Sequence, residues 1–178
     1  MSIIFKQSNS HEELLYNKIL SLSRNKFFYT KFQLKDTFQN RINLIFFHIS
    51  FIFIKLKDKK ENFKNKAFSQ KVFDTIFKKI ELNMREIGYG DTVINKNMKS
   101  LVKAFYNILI FCESFKSNTA EINSNFLTRQ LESNLTDNKK NNDFNNIIEY
   151  FDKYRAFCFD LTQDSVLKGE INFKIDEK

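Results

Sequence analysis

Four carboxylates near the end of one predicted helix come closest to forming a reactive cluster in this chain. Asp74, Glu81, Glu86 and Asp91 lie within a short stretch, and carboxylates projecting from helices are the ligands of di-metal sites in helical bundles. Arg85 lies among them, because positions 74, 81 and 85 share one helix face. A guanidinium between carboxylates predicts an ion-pair network rather than a metal site. We therefore expect no metal here, and we expect Arg85 to pair with Asp91 or with Asp74.

No other residues of the sequence form a catalytic group. His48 falls on the most apolar predicted helix, far from His11, so a hydrogen-bonded core histidine is the expected role. Cys112 and Cys158 have no metal-ligand spacing and lie in apolar helical stretches, which predicts free, buried thiols in a reducing compartment. The patterns CxxC, HExxH and GxSxG are absent, and so is a phosphate loop. The sequence predicts a protein that is not an enzyme and binds no cofactor.

The carboxylates border a corner that carries more special residues than the end of a helix requires. One glycine with positive φ is enough to stop a helix, whereas Gly88 and Gly90 both flank Tyr89 here. This density predicts a shaped surface feature, a buried ion pair, or both, and the corner should hold two helices at a fixed angle. The candidate residues, for this structural role or for contact with a partner, are Arg85, Glu86, Gly88, Gly90 and Asp91.

The net charge of +8 lies entirely in the first third of the chain. Residues 1–66 hold 13 Lys/Arg against 5 Asp/Glu, and the rest balances at 16 against 16. Such a field favours an anionic partner: ribosomal RNA, an acidic protein or an anionic lipid surface. A solvated loop between helices explains it equally well. The densest segment is 55–66, and its lysines are Lys55, Lys57, Lys59, Lys60, Lys64 and Lys66.

The spacing of apolar residues predicts an all-α fold, a single domain over residues 1–178 built as a bundle of about six helices. A capping box at Ser10 and Glu13 opens the first helix. The run at 42–54, which is apolar on most helix faces, belongs at the centre of the bundle. The later helices are expected from Asp36 or Thr37 to about 56, at about 66–87, from about 95 onwards, at about 120–135 behind an Asn118 cap, and at about 144–161.

Three segments are expected to be non-helical. Residues 25–35 form an irregular aromatic connector. The polar run 136–143 (TDNKKNND) predicts a flexible linker, and the tail at 170–175 alternates apolar and polar residues, which predicts a short extended strand on the body. Each aromatic side chain of the connector is expected either to pack in the core, which is the more common role, or to make apolar contact with a partner. The candidates for partner contact are Phe27, Phe28 and Tyr29.

The ends and the longest apolar run indicate where the protein works. No secretory or transit signal is visible at the start, where polar residues follow three apolar ones and Glu12 comes early. The run 42–54 spans about 20 Å as a helix, less than a hydrocarbon core of about 30 Å. These features predict a cytoplasmic protein that meets membranes only peripherally.

Three segments carry a family resemblance, which covers about residues 12–110. The first is LYNKILSLSRNKFFY at 15–29, a helix followed by a basic and an aromatic position. The second is KDTFQNRINLIFFHISFIFIKLK at 35–57, which contains Asp36, Thr37, Arg41 and His48. The third and most specific consists of FD at 73–74, an acidic residue at 81, and MREIGYGD at 84–91. Together they resemble the ubiquinol–cytochrome c chaperone family.

The resemblance implies a non-enzymatic chaperone for assembly of the respiratory bc1 complex. Its client would be newly made cytochrome b or another bc1 subunit, bound together with a small partner protein near the ribosomal exit tunnel. The lysine-rich segment would then meet the ribosome or an anionic membrane. The site of action would be the inner membrane surface of an alphaproteobacterium, or the matrix side in a mitochondrion. The alternative is a basic helical RNA- or ribosome-binding module without a cytochrome b client.

Overall fold

A computed structural model describes residues 10–57, 63–116, 118–134 and 137–175, with 137–143 described in their backbone only. Within these ranges the chain forms no strand, and one isolated antiparallel bridge joins Leu34 to Ser133. The predicted all-α, single-domain class is confirmed. The helical segments are α1 (His11–Ser23), α2 (Phe27–Thr30), α3 (Phe38–Lys57), α4 (Phe63–Ile87), α5 (Asp91–Ser114), α6 (Ala120–Gln130), α7 (Asp137–Asp160) and α8 (Gln163–Leu167).

Helix α3 forms the centre of the bundle, as its apolar sequence predicts. It packs against α1, α4, α5, α7 and α8. Phe46, for example, stacks on Phe77 of α4 with 5.6 Å between ring centroids and meets Phe105 of α5 edge-on at 5.4 Å. A helix that is apolar on every side must bury every side. The other helices therefore arrange themselves around α3.

Polar side chains at the start of α3 bond to the segment that follows α6. The Nδ2 of Asn40 donates to the carbonyl oxygens of Lys35 and Glu132, both at 2.8 Å, and its Oδ1 accepts from the Glu132 N–H at 2.9 Å. The Nδ2 of Asn43 donates to the Gln130 carbonyl oxygen. Since buried amides need partners, these bonds fix the chain after α6 against the N-terminus of α3.

The expected core histidine and free thiols are confirmed. His48 is fully buried, with Nδ1 2.6 Å from the Leu44 carbonyl oxygen and Nε2 2.7 Å from the Tyr150 hydroxyl. Burial lowers the pKa of His48 to about 4, so the imidazole is neutral near pH 7. Cys112 and Cys158 are free and buried, and burial raises the pKa of the Cys158 thiol to about 12.

The predicted start of α5 and the predicted cap and end of α6 are wrong. Helix α5 begins at Asp91 rather than near 95, since its first turn is polar but already helical. Thr119, not Asn118, caps α6 through a bond from the Ile122 N–H at 3.3 Å. The helix ends at Gln130 rather than near 135, because the following residues run extended toward the start of α3.

The flexible linker predicted at 136–143 is wrong for 137–143, which are the first turns of α7. Residue 136 lies outside the described residues. Polar composition indicates a loop only where the chain has to turn, and here the same residues extend a helix N-terminally of Phe144, a fully packed residue. Solvent-exposed helical turns carry polar side chains as readily as loops do.

The extended strand predicted for the tail is also wrong within the described residues 171–175, which have no paired backbone. A strand needs a neighbouring backbone, and the tail meets side chains instead: the Lys18 ammonium donates to the Asn172 Oδ1 at 3.0 Å, and the Phe173 ring lies 5.1 Å from the Tyr154 ring. The short α8, capped by Thr162, was not predicted.

Candidate interaction surface

One glycine builds the corner between α4 and α5. Gly88 has φ 98°, its N–H donates to the Arg85 carbonyl at 3.0 Å, and the Tyr89 N–H donates to the Met84 carbonyl at 3.1 Å. This pair of bonds is the Schellman pattern that ends helices at a left-handed residue. Gly90, with φ −73° and ψ 155°, is an ordinary extended N-cap of α5. The backbone therefore requires the first glycine and not the second.

The corner lies outside the core of the bundle. Met84 is the last buried residue of α4 and Ile94 is the first of α5, and all residues at 85–93 between them are exposed. We call residues 85–93 the corner surface. A cluster of exposed large apolar side chains marks an interaction site more often than a fold requirement. Its apolar side chains are Ile87, exposed to 62%, and Tyr89 and Val93, each exposed to 45%.

Arg85 joins the two helices at the corner. Its Nη1 donates to Asp91 Oδ1 at 2.6 Å, and its Nε and Nη2 donate to Glu81 Oε1 at 3.1 and 2.9 Å. The predicted pairing with Asp91 is confirmed. The alternative with Asp74 is wrong, because Asp74 accepts from Gln70 instead. The buried form of the pair is also wrong, since the Arg85 side chain is 47% exposed.

The other charged side chain of the corner, that of Glu86, is exposed and has no ion-pair partner among the described residues. The hydrogen bonds that Arg85 donates to Asp91, and then those to Glu81, raise the pKa of Arg85, as expected for a cation held between carboxylates. In the ranges that the structure describes, no three His, Cys, Asp or Glu side chains group as metal ligands.

Sequence reasoning identified the charged residues of the corner surface and missed its apolar ones. Ile87 continues the apolar spacing of α4, so the pattern assigns it to the core. The signal that could have found it was the glycine directly after it: α4 stops at Gly88, and a residue in the last turn before a stop has neighbours on fewer sides. Val93 was missed because the start of α5 was placed too late.

The aromatic connector divides between core and surface. Phe28 is fully buried and its ring lies 5.0 Å from the ring of Tyr150, so of its two expected roles the structure shows packing in the core. The single turn of α2 points this ring inward. Tyr29 is half-buried, and its hydroxyl donates to the Ser23 carbonyl at 3.2 Å. Phe27 is half-buried and reaches the surface.

The lysines of the lysine-rich segment 55–66 differ in their exposure and in their bonding partners. Lys55 is half-buried, and its ammonium donates to the Phe159 carbonyl oxygen, which ties α3 to α7. Lys57 is exposed and pairs with Glu113 at 2.7 Å. Lys55 is therefore part of the bundle rather than of a basic surface. Lys64 and Lys66 are exposed, and Lys59 and Lys60 lie outside the described residues.

None of the described helices combines the length and the apolar character that a membrane span needs. Helix α3, the most apolar of them, is occupied on all sides by its neighbours.

Comparison with known proteins identifies a solved structure with the same fold and a family to which the chain belongs. The crystal structure of the Cbp3 homolog from Brucella abortus matches with a TM-score of 0.77 and 24% identity, over 93% of this chain and 89% of that chain. That likeness shows the fold. The curated proteins contain no match. The model of the family described as ubiquinol-cytochrome C chaperone matches residues 30–173, which includes the corner surface and most of the chain. The chain therefore belongs to the ubiquinol-cytochrome C chaperone family.

Proposed function

We propose that this chain is a non-enzymatic assembly chaperone of the bc1 complex, and that it binds newly synthesised cytochrome b or another bc1 subunit at the corner surface. Family membership supports the class. The observation that carries the site is the exposed apolar tip formed by Ile87, Tyr89 and Val93 beyond the end of the core. A membrane protein exposes apolar segments before insertion, and an apolar surface on a chaperone shields them from water.

The size of this tip suits a chaperone that must release its client. Complete burial of one large apolar side chain contributes roughly 1.5–3 kcal/mol, and these three side chains are already partly covered. Association itself costs several kcal/mol in lost freedom. Three partly exposed residues therefore support transient binding. The Arg85 network holds the tip in place whether or not a client is bound.

The proposed place of action follows from the family and the charge. We assign the chaperone to the cytoplasm of an alphaproteobacterium, peripheral on the inner membrane, or to the matrix side in a mitochondrion. The basic first third, including the exposed Lys64 and Lys66, is the proposed contact for the ribosome or an anionic membrane surface. A small partner protein would act with it, as the family resemblance implies.

The test compares two isoleucines of equal exposure, Ile87 at 62% and Ile110 at 63%. Tagged parent, Ile87→Asp and Ile110→Asp proteins are used to capture cytochrome b from solubilised membranes and from ribosomes, with quantitation by mass spectrometry. A charge at the binding tip should lower capture about tenfold or more, whereas Ile110→Asp should capture as the parent does. Both variants should keep the melting temperature of the parent.

Three results would contradict the proposal. Undiminished capture by Ile87→Asp would exclude the corner surface, and an equal loss in Ile110→Asp would show a general effect of added charge. Absence of cytochrome b and of other bc1 subunits from the parent's capture, together with normal assembly of the complex in a deletion strain, would overturn the function itself.

The second candidate function is a basic helical RNA- or ribosome-binding module without a cytochrome b client. The charge of the first third favours it. The internal bond of Lys55 and the pairing of Lys57 with Glu113 weaken it, since they remove two cations of the densest segment from free contact with phosphates. Recovery of ribosomal RNA without cytochrome b in the same capture would favour this function.

A further inference from the structure

A cavity of about 700 Å³ opens between the aromatic connector, helix α7 and the C-terminal tail. Its size falls within the range of roughly 300–1,000 Å³ that is usual for small-molecule sites. It is lined by four aromatic rings and three lysines, and it does not include any residue of the corner surface. The proposed function therefore leaves this cavity without a role.

The inner part of the cavity is aromatic. Phe32 and Tyr150 are buried and form its floor. Phe27, half-buried, meets Phe32 edge-on with 4.5 Å between ring centroids, and Phe173, also half-buried, meets Tyr150 edge-on at 5.8 Å. Both rings line the cavity beside its floor, so an apolar group that enters meets aromatic side chains.

The wall that contains Phe173 is held in place by the fold. Gly169, at φ 70°, passes so close to α1 that a Cβ there would lie 2.7 Å from the His11 carbonyl oxygen. Two residues further on, Ile171 is buried, and Asn172 accepts a bond from Lys18 at 3.0 Å. The tail is therefore held against α1 directly before Phe173, which fixes the position of this wall.

The mouth of the cavity is cationic. Lys31, Lys153 and Lys174 come from three separate elements and are all exposed. One carboxylate, Glu149, faces them; it pairs with Lys153 at 2.8 Å, and the two lysines Lys153 and Lys31 lower its pKa. The Lys31 ammonium lies 5.0 Å from the centre of the Phe27 ring. Among the described lining residues, three lysines and one carboxylate thus lie at the edge of an aromatic interior.

We propose that this cavity binds a single-chain anionic amphiphile, a fatty acid or its phosphate-headed counterpart, with the chain among the rings and the anion at the lysines. The aromatic floor removes the apolar chain from water, and lysine ammonium groups at a mouth attract an anion while staying hydrated. Ring faces alone would also suit a cation, but a cation here would meet three lysines.

Isothermal titration calorimetry with soluble ten-carbon probes tests the proposal on the full chain. Decanoate should bind saturably with one site per chain, and decanol and decyltrimethylammonium should bind about tenfold more weakly or not at all. The double variant Lys31→Glu/Lys174→Glu should lower the affinity for decanoate about tenfold. The matched control Lys99→Glu/Lys103→Glu makes the same charge change on the exposed face of α5 and should bind decanoate as the parent does.

The order of the head groups identifies the source of the ligand. Tighter binding of decyl phosphate than of decanoate would assign a lysophospholipid-like ligand, and the reverse order a fatty acid; either result supports the proposal. Absence of decanoate binding up to millimolar concentration would overturn it, as would equal affinities for decanoate and decanol, an equal loss in the control variant, or displacement of decanoate by inorganic phosphate alone. Displacement of decanoate by an Asp-Phe-Asp peptide would also overturn the proposal, because it would identify a protein segment and not an amphiphile as the ligand.

Discussion

At the residue scale, Arg85 shows how a surface ion pair can organise a corner without supporting the core. It joins Glu81 on α4 to Asp91 on α5 through three hydrogen bonds. All three side chains are at least 40% exposed, and exposed pairs contribute little to stability because water screens them. The network therefore sets the direction of the corner surface, while buried neighbours such as Met84 hold the helices together.

The pair Arg85 and Met84 gives a test of this distinction on adjacent residues. Arg85→Ala should leave the melting temperature of the parent unchanged within error, measured by circular dichroism. Met84→Ala removes a buried side chain, exposed to 2%, and should cost about 2–5 kcal/mol. A loss in Arg85→Ala as large as that in Met84→Ala would instead assign Arg85 a structural role.

Spacing limited the partner of Arg85 to Asp91 or Asp74 but did not predict whether the pair would be buried. The interval of six residues across a glycine turn brings Arg85 within reach of Asp91, which is a local property. Whether the pair is buried depends on where α3 and α1 end relative to the corner, and no pattern within 73–91 contains that information.

At the element scale, the α4–α5 corner depends on one backbone conformation. The left-handed φ of Gly88 closes the Schellman turn, and no atom within 4 Å would obstruct a Cβ at either glycine. The difference between Gly88 and Gly90 is therefore one of dihedral angle alone, which makes the two glycines a matched pair for mutation.

Gly88→Ala should lower the free energy of unfolding by roughly 1–2 kcal/mol, because an L-residue is strained in the left-handed region. Gly90→Ala should change it by less than about 0.5 kcal/mol, since the smaller entropy of the unfolded chain offsets the poorer N-cap. Urea denaturation of both variants measures the difference. Equal effects of the two substitutions would contradict the assignment of the turn to Gly88.

Whole helices were predictable where an apolar pattern continues over many residues, whereas the ends of the helices were not predictable. The run around 42–54 predicts a central helix because most of its faces are apolar, and α3 has that position. The start of α5 was placed four residues late, because its first turn is polar and apolar spacing cannot detect it. The start of α7 was misplaced for the same reason, since its first turns are polar in sequence and apolar spacing cannot detect them.

At the scale of the whole molecule, His48 connects the parts of the bundle. It lies on α3, and its Nδ1 must carry the hydrogen, because the Leu44 carbonyl can only accept. Its Nε2 then accepts from the Tyr150 hydroxyl on α7, and Ser23 of α1 lies 3.5 Å from Nδ1. Protonation of Nε2 would put a charge into this junction and would reverse the bond from Tyr150.

The stability of the fold should therefore fall in mild acid. The pKa of His48 is about 4 in the folded state against 6.5 for a free histidine, so the unfolded state binds more protons between these values. The stabilisation is complete above about pH 6.5 and is lost as the pH falls toward 4. The loss between pH 7 and pH 5 should be about 2 kcal/mol, given about 1.4 kcal/mol for each pKa unit.

Urea denaturation at pH 7, 6 and 5 measures this loss, with two variants as controls. His48→Gln should be less stable than the parent at pH 7 and should show little further change down to pH 5. His11→Gln, which alters the exposed histidine, should keep the pH dependence of the parent. An unchanged slope in His48→Gln would show that other groups cause it.

The sequence by itself determined the all-α class, the central place of α3 and the core role of His48, and it limited the partner of Arg85 to Asp91 or Asp74. Each of these depends on periodicity or on spacing within a few turns of one helix. Only the tertiary structure decided that residues 85–93 lie beyond the core, that the Phe28 ring is buried, and that Lys31 and Lys174 meet at one cavity. These outcomes depend on where neighbouring helices end and on contacts between residues more than 100 positions apart, and local patterns do not encode them.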